Sequence, residues 1–310
     1  MKHRECGQCK NERNRRNRVI NENEDERPYE DKFKTAPLIV PNNDVKYKVN
    51  KDRAVEWARE HGCAVLWSAA KDSVKGSPSF TRNPNLLTEK RKWLNYTDAQ
   101  CGGLSGMVPV VLGMEVVATD HLCRGDYEVL KGDKGQIVGY ELHTEDKRAS
   151  DHVFEGHVPL RHPPSVVFVK FNDKKWTIKM ETKPGVHVEL EPGVYPVVPK
   201  TTSWSLAYAA TTTISRHQLP LNPAFARTAY SMQGSTLPAA IVDVNVPTGT
   251  DLLTCYVAIS RVKRADDLLI LRRFPICFFY VPEHTAPQQV LILTLTLALT
   301  LTQSSPQAQP

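Results

Sequence analysis

The sequence lacks several features that would place it in a common class of protein. Its seven cysteines are few for 310 residues and unevenly spaced, which argues against the disulfide framework of a secreted domain. The first twenty residues hold no apolar stretch of the kind that a signal peptide needs. Apolar runs also fall short of the roughly twenty residues of a membrane helix. We therefore expect an intracellular protein, in the nucleus or the cytoplasm, without a membrane partner.

A phosphate-binding loop of the G-x-x-x-x-G-K-[ST] type is also absent from the sequence. The backbone amides of such a loop cradle the phosphates of a nucleotide, and its lysine reaches the terminal ones. The glycine- and lysine-rich residues 131–135 have the wrong spacing for this loop and predict a hairpin turn instead. We therefore expect no full ATPase activity from this chain alone.

What is present is an ordinary globular composition with unusual ends. The chain is 41% hydrophobic, 24% charged and carries a formal net charge of +6, which is compatible with a polyanionic partner but does not demand one. Residues 1–35 hold a basic block followed by an acidic block, and such arms usually stay disordered. The basic block fits a nucleic-acid arm or nuclear signal, and equally a solvated tail. Cys6 and Cys9 form half of a zinc-site pattern, which leaves metal binding there open.

The other end of the chain, residues 281–310, is of low complexity. Leucine alternates with threonine or alanine from residue 291 to residue 302, a period of two that is typical of a strand and not of an amphipathic helix. Residues 291–302 contain no charged side chain, so this segment would be prone to aggregation if it were exposed.

Buried strands in the second half of the chain predict an α/β fold. Residues 239–246 form an apolar run rich in Ile and Val, which suits a strand covered on both faces, and residues 268–271 are a second candidate. Strands that alternate with helical or looped segments imply a parallel sheet. Ligands of such sheets bind at the carboxyl ends of the strands. Residues 233–236 and residues 260–261 lie in connections of this kind.

These two connections resemble the fifth and sixth motifs of superfamily 1 helicases, in the branch of the Pif-type and RecD-like enzymes. The fifth motif has a Gln-Gly-x-Thr core before a strand, and this chain has Gln233, Gly234, Ser235 and Thr236. The sixth motif runs Tyr-(Val/Thr)-Ala-(Leu/Ile)-(Ser/Thr)-Arg-(Val/Ala), and residues 256–262 read Tyr-Val-Ala-Ile-Ser-Arg-Val. One motif alone would be a weak signal, but the ordered pair is specific.

The resemblance covers residues 37–275 and implies a RecA-like parallel-sheet domain, the second motor domain of a P-loop NTPase, with a small β-barrel insertion. The expected segments are a disordered arm (1–35), a first part of the RecA-like domain (36–119), a β-rich insertion (120–215), a second part with both motifs (216–280) and a tail (281–310). The implied activity is ATP-driven translocation on single-stranded DNA with duplex unwinding.

The resemblance also assigns roles to single residues. Arg261 would be an arginine finger, because a guanidinium is permanently charged and can neutralise a transferring phosphoryl group. Gln233 and Gly234 would also contact the nucleotide. The residues expected at the nucleic acid are Ser235, Thr236, Tyr230 and Asn43. The competing interpretation is that Arg261 is a surface arginine paired with an acid such as Asp266.

The resemblance also has gaps. The chain looks like the C-terminal half of a helicase, so ATP and Mg²⁺ would bind only with a complementing first RecA-like domain, in cis or in trans. Relatives usually carry His and Lys where this chain has Tyr230 and Ser231, which puts a basic contact to the strand in doubt. Single-stranded DNA is the expected partner, and RNA is not excluded. The alternatives are a non-catalytic module that binds single-stranded nucleic acid, or an inactive helicase fragment.

Four histidines lie close together in the sequence, namely His143, His152, His157 and His162. They form no strict i,i+4 pair and no His-Cys set of the kind that zinc sites use. We interpret them as solvated loop histidines, and we expect no metal.

Overall fold

The computed structural model describes residues 31–75, 86–147, 154–183, 186–206, 209–245 and 252–272. The predictions made for the N-terminal arm up to residue 30, for the Cys6 and Cys9 pair and for the Leu-rich tail lie outside these residues. Unit 1 comprises residues 1–46 and 226–310, and unit 2 comprises residues 47–225. Within the described residues, no helix has the length and apolar character to cross a membrane.

Unit 1 is built on a four-stranded sheet. Its strands are β1 (Leu38–Val40), β15 (Ala226–Thr228), β16 (Ala240–Val242) and β17 (Leu268–Ile270), in the spatial order β15-β1-β16-β17. All three pairings are parallel. The helices with described residues in this unit are α1 (Asp31–Lys34), the start of α2 (Asn43–Glu60) and α4 (Leu252–Ile259), together with the 3-10 helices Tyr230–Met232 and Ala265–Asp267.

The strands of unit 1 pack into an apolar core that α4 covers. Ile39 and Val242 are fully buried, and Cys255 and Ala258 of α4 pack in the same cluster as these strands. The adjacent residues Ile39 and Val40 of β1 are both buried, and successive side chains of a strand point to opposite faces, so both faces of β1 are covered. The predicted parallel α/β sheet is confirmed, although β16 is shorter than the apolar run from residue 239 to residue 246 that predicted it.

Helix α2 begins earlier than its apolar pattern indicates. The sequence predicts a helix from residue 51, but α2 starts at Asn43 because the Asn42 side chain caps it, with Oδ1 accepting from the backbone N–H of Val45 at 3.0 Å. The helix ends where Gly62 adopts a positive φ of 64°, and the Cys63 N–H then bonds the Ala58 carbonyl at 2.8 Å. Such a left-handed glycine is a common helix stop.

Unit 2 is rich in short strands. They are β2 (Val65–Ala69), β3 (Lys71–Lys75), β4 (Met107–Val110), β5 (Glu115–Ala118), β6 (Lys134–Glu141), β7 (His157–Leu160), β8 (Val166–Phe171), β9 (Lys179–Lys183), β10 (Val186–Glu189), β11 (Val194–Val197), β12 (Lys200–Leu206), β13 (Ala209–Gln218) and β14 (Leu221–Pro223). Helix α3 (Leu86–Trp93) and the 3-10 helix Thr144–Asp146 also belong to this unit. The short alternating sequence at residues 166–171 predicts a strand, and β8 lies there.

The strands of unit 2 form four open sheets. Their orders are β11-β8-β6-β5-β14, β12-β13-β3, β4-β2-β7 and β10-β9. Each sheet has two edge strands, so the described strands close no barrel, and the predicted β-barrel insertion is not formed by them. The physical reason is that strands before residue 120 pair with strands inside the predicted insertion (120–215). β2 pairs with β7, and β3 pairs with β13. A strand-rich pattern predicts strands but not closure, which depends on tilt and register.

A buried ion pair ties β13 to β3 in unit 2. Arg216 is fully buried, and its Nε and Nη2 donate to the two carboxylate oxygens of Asp72 at 2.8 and 2.7 Å. A further bond from Nη2 reaches the Trp93 carbonyl at 2.8 Å. The Trp204 ring lies 5.3 Å from the guanidinium carbon. The charge of Arg216 is thus neutralised inside the fold.

Candidate functional site

The loop that resembles the fifth helicase motif leaves β15 through the 3-10 helix Tyr230–Met232. The chain then turns at Gly234, whose φ is 80°, and the Ser235 N–H bonds the Met232 carbonyl at 3.0 Å. A Cβ at Gly234 would meet no atom within 4 Å, so glycine is favoured here by its backbone angle and not by lack of space. Gln233, Gly234 and Thr236 are exposed, and Ser235 is half-buried.

Arg261 follows the C-terminal end of α4 and binds back to it. Its Nε donates to the Val257 carbonyl at 2.6 Å, and its Nη2 donates to the Ser260 hydroxyl at 2.6 Å. A cation at this end of a helix satisfies a free carbonyl and interacts favourably with the helix dipole. These bonds fix the direction in which the guanidinium leaves the helix.

The same guanidinium reaches the loop that resembles the fifth motif. Nη1 donates to the Met232 carbonyl at 3.3 Å and to the Ser235 carbonyl at 3.2 Å. The backbone adds a further bond from the Leu237 N–H to the Arg261 carbonyl at 2.7 Å, and Leu237 forms a parallel bridge with Val262. We call this contact between residues 232–237 and residues 261–262 the motif junction. The structure therefore brings the two helicase-like segments together.

The motif junction lies at a different end of the sheet from the one expected. Leu237 precedes β16 and Val262 precedes β17, so their bridge is on the amino side of both strands. The expectation that residues 233–236 and residues 260–261 lie at the carboxyl edge is wrong for both segments. In a parallel sheet, a connection that leaves a carboxyl end must return to the amino edge before the next strand begins, and both segments lie on this return path.

Tyr230 and Asn43 lie beyond the carboxyl edge of the sheet. β1 and β15 are paired in parallel with Val40 opposite Thr228, and Asn43 and Tyr230 follow these strand ends by a few residues. Both are exposed, and Tyr230 is 85% exposed. The predicted site residues thus fall into two groups, one at the carboxyl edge and one at the motif junction.

Asp266 is not the partner of Arg261. Its carboxylate instead lies 3.8 Å from Nη2 of Arg264, and both of these side chains are largely exposed. The four hydrogen bonds of Arg261 all go to neutral oxygens, three carbonyls and one hydroxyl. In the part of the chain that the structure describes, no carboxylate forms an ion pair with Arg261. Its positive charge therefore remains available to an anion.

Three charged residues near the carboxyl edge were missed by the sequence reasoning. Asp243 follows β16, has a side chain only 2% exposed, and accepts two bonds from Arg272 at 2.9 and 2.8 Å. The bond to Asp243 raises the pKa of Arg272. Arg227 of β15 is buried, which lowers its pKa, and it donates to the Ser231 carbonyl at 3.1 Å. The sequence signal that could have found them is a charged residue within an apolar strand or directly after one.

The histidines of unit 2 are not the solvated loop residues that the sequence suggested. The rings of His143 and His162 stack with centroids 4.2 Å apart, and the His162 side chain is only 17% exposed. His157 accepts a bond from Nε1 of Trp67 at 3.0 Å. His152 lies outside the described residues. The sequence separation of the first two residues hid their contact, which depends on the paths of β6 and β7.

Known helicase structures are similar to this chain at low sequence identity. The Pif1 helicase from Candida albicans is 15% identical with a TM-score of 0.45, over 84% of this chain and 49% of its own. The Pif1 helicase from Bacteroides in complex with ADP-AlF3 and ssDNA is 14% identical with a TM-score of 0.44, over 84% of this chain and 45% of its own. Bacteroides Pif1 bound to ssDNA is 14% identical with a TM-score of 0.43, over 85% and 46%.

This chain spans about half the length of those helicases. No protein-family model matches it, and no curated protein matches it. Similarities at this level do not assign a function. A functional proposal must therefore rest on the residues of this chain and their contacts.

Proposed function

We propose that this chain is the C-terminal motor half of an ATP-dependent DNA helicase, which couples ATP hydrolysis to translocation on single-stranded DNA and to duplex unwinding. The observation that supports the proposal most is the motif junction. Two segments that resemble consecutive helicase motifs, with Ser235 and Arg261 26 positions apart, meet through a guanidinium and a backbone bridge. The order of residues in each segment says nothing about the distance between the two segments. Their contact therefore supports the proposal independently of the resemblance.

In this proposal, Arg261 both stabilises the transition state and senses it. A guanidinium has five N–H donors, and four bonds to neutral oxygens are described, one from Nε, two from Nη1 and one from Nη2. One N–H of Nη2 is left to approach a γ-phosphate, where negative charge develops during phosphoryl transfer. Because Nη1 holds the Met232 and Ser235 carbonyls, movement of the guanidinium would be transmitted to that loop.

The loop is where nucleotide state would reach the nucleic acid. Gln233 and Gly234 would face the nucleotide, while Ser235 and Thr236 offer a hydroxyl each to a phosphate of the bound strand. Tyr230 would stack on a base at the carboxyl edge, since an exposed aromatic ring binds single strands without sequence preference. Asn43 would add a polar contact at the same edge.

The first RecA-like domain of this motor would have to be supplied in cis or in trans. It would bring the phosphate-binding loop and the acid that holds Mg²⁺, because no such loop sequence occurs in these 310 residues. ATP and Mg²⁺ would then bind at a composite site to which this chain contributes Arg261. The chain alone would hydrolyse no ATP.

The second candidate is a non-catalytic module that binds single-stranded nucleic acid, or an inactive helicase fragment. The observation that favours it is that all four described bonds of Arg261 are internal, so the residue already has a structural use. A module of this kind would bind single strands through Tyr230 and Asn43 without any nucleotide turnover.

Complementation separates the two candidates. The chain is mixed with, or fused to, the first RecA-like domain of a superfamily 1 helicase, and ATP hydrolysis is measured with and without single-stranded DNA. We expect hydrolysis that DNA stimulates and that exceeds the sum of the separate parts. Strand binding that persists while hydrolysis stays at the sum of the parts, across several donor domains, would instead favour the non-catalytic module.

A further inference from the structure

Two imidazoles and a carboxylate lie close together in unit 2, and the proposed function uses none of them. The side chains of His143, Glu145 and His162 each place one ligand atom within 4.8 Å of the other two. His143 and Glu145 come from the turn that follows β6, and His162 comes from the segment after β7. Glu145 is 65% exposed, whereas His162 is largely buried, so the cluster opens to solvent on the side of the carboxylate.

The hydrogen bonds of the cluster are few, and its two rings are stacked nearly in parallel, with an interplanar angle of 10°. Nδ1 of His143 accepts the Glu145 N–H at 3.3 Å as the cap of the 3-10 helix Thr144–Asp146. A neutral imidazole that accepts at Nδ1 carries its proton on Nε2, so His143 would give up this long cap bond when it binds a metal. Nε2 of His162 lies 3.6 Å from the Glu145 carboxylate. A histidine whose Nδ1–H donates to a carboxylate presents Nε2 as a metal ligand.

Asp146 supplies the support that metal-binding histidines commonly have. Its side chain is only 4% exposed, and its two oxygens accept the backbone N–H groups of Arg161 at 3.2 Å and His162 at 2.7 Å. Nδ1 of His162 is buried and makes no hydrogen bond within the described residues, yet it lies only 3.4 Å from the Asp146 carboxylate. A small rotation of the ring would complete a carboxylate–histidine–metal arrangement.

We propose that His143, Glu145 and His162 bind a divalent transition metal, with Zn²⁺ as the ion that suits them. Two imidazole nitrogens and one carboxylate oxygen are a ligand set that zinc accepts with a fourth position left to water. Zinc–ligand bonds of about 2.0–2.2 Å require the three atoms to move closer together and one imidazole to turn out of the stack, because a metal lies in the plane of each ring that binds it. The metal joins the chain after β6 to the chain after β7 and so stabilises unit 2.

Zinc titration of the full chain tests this site. Because Cys6 and Cys9 could also bind zinc, both are replaced by serine in every protein used. The chain is freed of metal with a chelator, and Zn²⁺ binding is followed by calorimetry. We expect one Zn²⁺ per chain. Because a carboxylate supporting a metal-bound histidine is typically worth about 10–100-fold in affinity, Asp146→Asn should weaken binding by that factor, and His143→Gln or His162→Gln by more.

A matched control and a spectroscopic readout distinguish the site from other ligands. His187 is an exposed histidine on β10, and His187→Gln should leave the affinity for Zn²⁺ unchanged. Co²⁺ in the site should give the weak visible bands of nitrogen and oxygen ligation without a thiolate charge-transfer band. Zn²⁺ should also raise the melting temperature of the parent chain but not that of His143→Gln.

Three results would overturn the site. They are the absence of stoichiometric Zn²⁺ binding, equal affinity in the parent chain and both histidine variants, or a thiolate band in the Co²⁺ spectrum.

Discussion

Arg216 and Arg261 are both held by several hydrogen bonds, but their surroundings differ in one respect. Arg216 in unit 2 is completely buried and forms a bidentate ion pair with Asp72. Arg261 in unit 1 is half-buried and bonds only to neutral oxygens within the described residues. The first arginine has its charge neutralised by the fold, whereas the second retains a charge that a phosphate could neutralise.

The comparison suggests how to separate structural arginines from functional ones. A buried charge without a counter-charge is costly, so a fold that buries an arginine usually supplies a carboxylate. Where carbonyls alone position a half-exposed guanidinium, the geometry is fixed while the charge remains available.

The largest effect on stability is expected at the buried pair. Arg216→Met leaves the Asp72 carboxylate buried without its partner, which costs about 3–5 kcal/mol. All five tryptophans lie in unit 2, so tryptophan fluorescence during urea unfolding reports on that unit alone. The control Arg53→Met removes an exposed pair with Glu56, and we expect it to cost well under about 1 kcal/mol. Equal losses in the two variants would show that the buried pair is not structural.

Strand binding should depend on the exposed tyrosine of the carboxyl edge. We expect weak, salt-sensitive binding of an oligothymidylate, because the chain is net basic and each phosphate contact releases counterions. Tyr230→Ala should lose about 1–3 kcal/mol of binding free energy, the usual value for one stacked base. Tyr230→Phe keeps the ring and should bind almost normally, as measured by fluorescence anisotropy. If no oligothymidylate bound at low salt, neither the helicase motor nor the non-catalytic module could use the carboxyl edge to bind a strand.

The turn of the motif junction should tolerate a side chain poorly. Gly234→Ala forces alanine to a φ of 80° and is expected to cost roughly 1–2 kcal/mol locally. Gly125 also has open space around it but no positive φ, so Gly125→Ala is the matched control and should be nearly neutral. Amide hydrogen exchange of β16 and β17 would report the loosening. Unchanged exchange in Gly234→Ala would indicate that the turn does not constrain the junction.

The smallest effects are expected at Asn42 and Asn43, where one side chain caps a helix and the other would contact nucleic acid. Asn42→Ala removes the side-chain cap of α2 and should destabilise the helix start by about 1 kcal/mol, visible as faster exchange at Val45. Asn43→Ala should leave that exchange unchanged and weaken oligothymidylate binding instead. The opposite pattern would show that the adjacent asparagine, and not Asn43, is the contact to nucleic acid.

Part of this fold could be predicted from the sequence, because apolar runs report burial directly. The apolar run from residue 239 to residue 246 was sufficient to predict the strand that the structure places at Ala240–Val242. The start of α2 could not be predicted from periodicity, because a capping side chain and not an apolar face determines it. Barrel closure was predicted wrongly, since pairing between β3 and β13 depends on contacts far apart in sequence.

The candidate sites show the same division. The motif residues near Gln233 and Arg261 were found from residue order, but their junction on the amino side of β16 and β17 required the topology of the sheet. His143 and His162 were recognised as neighbours in sequence, yet their stacked geometry required β6 and β7 to be placed. Local patterns thus identified residues, and long-range pairing determined which of them meet.

The most direct test of the central claim is the ATP turnover of Arg261 variants in the complemented motor. Arg261→Ala should lower kcat on the order of 10³-fold with a smaller effect on ATP affinity. Arg261→Lys should be nearly as damaging, because lysine keeps the charge but loses the fork of donors. Gln233→Ala should weaken the stimulation by DNA more than the basal rate. The control Arg264→Ala removes a neighbouring exposed arginine and should leave turnover unchanged. A complemented motor with DNA-stimulated hydrolysis that is indifferent to Arg261→Ala would contradict the account.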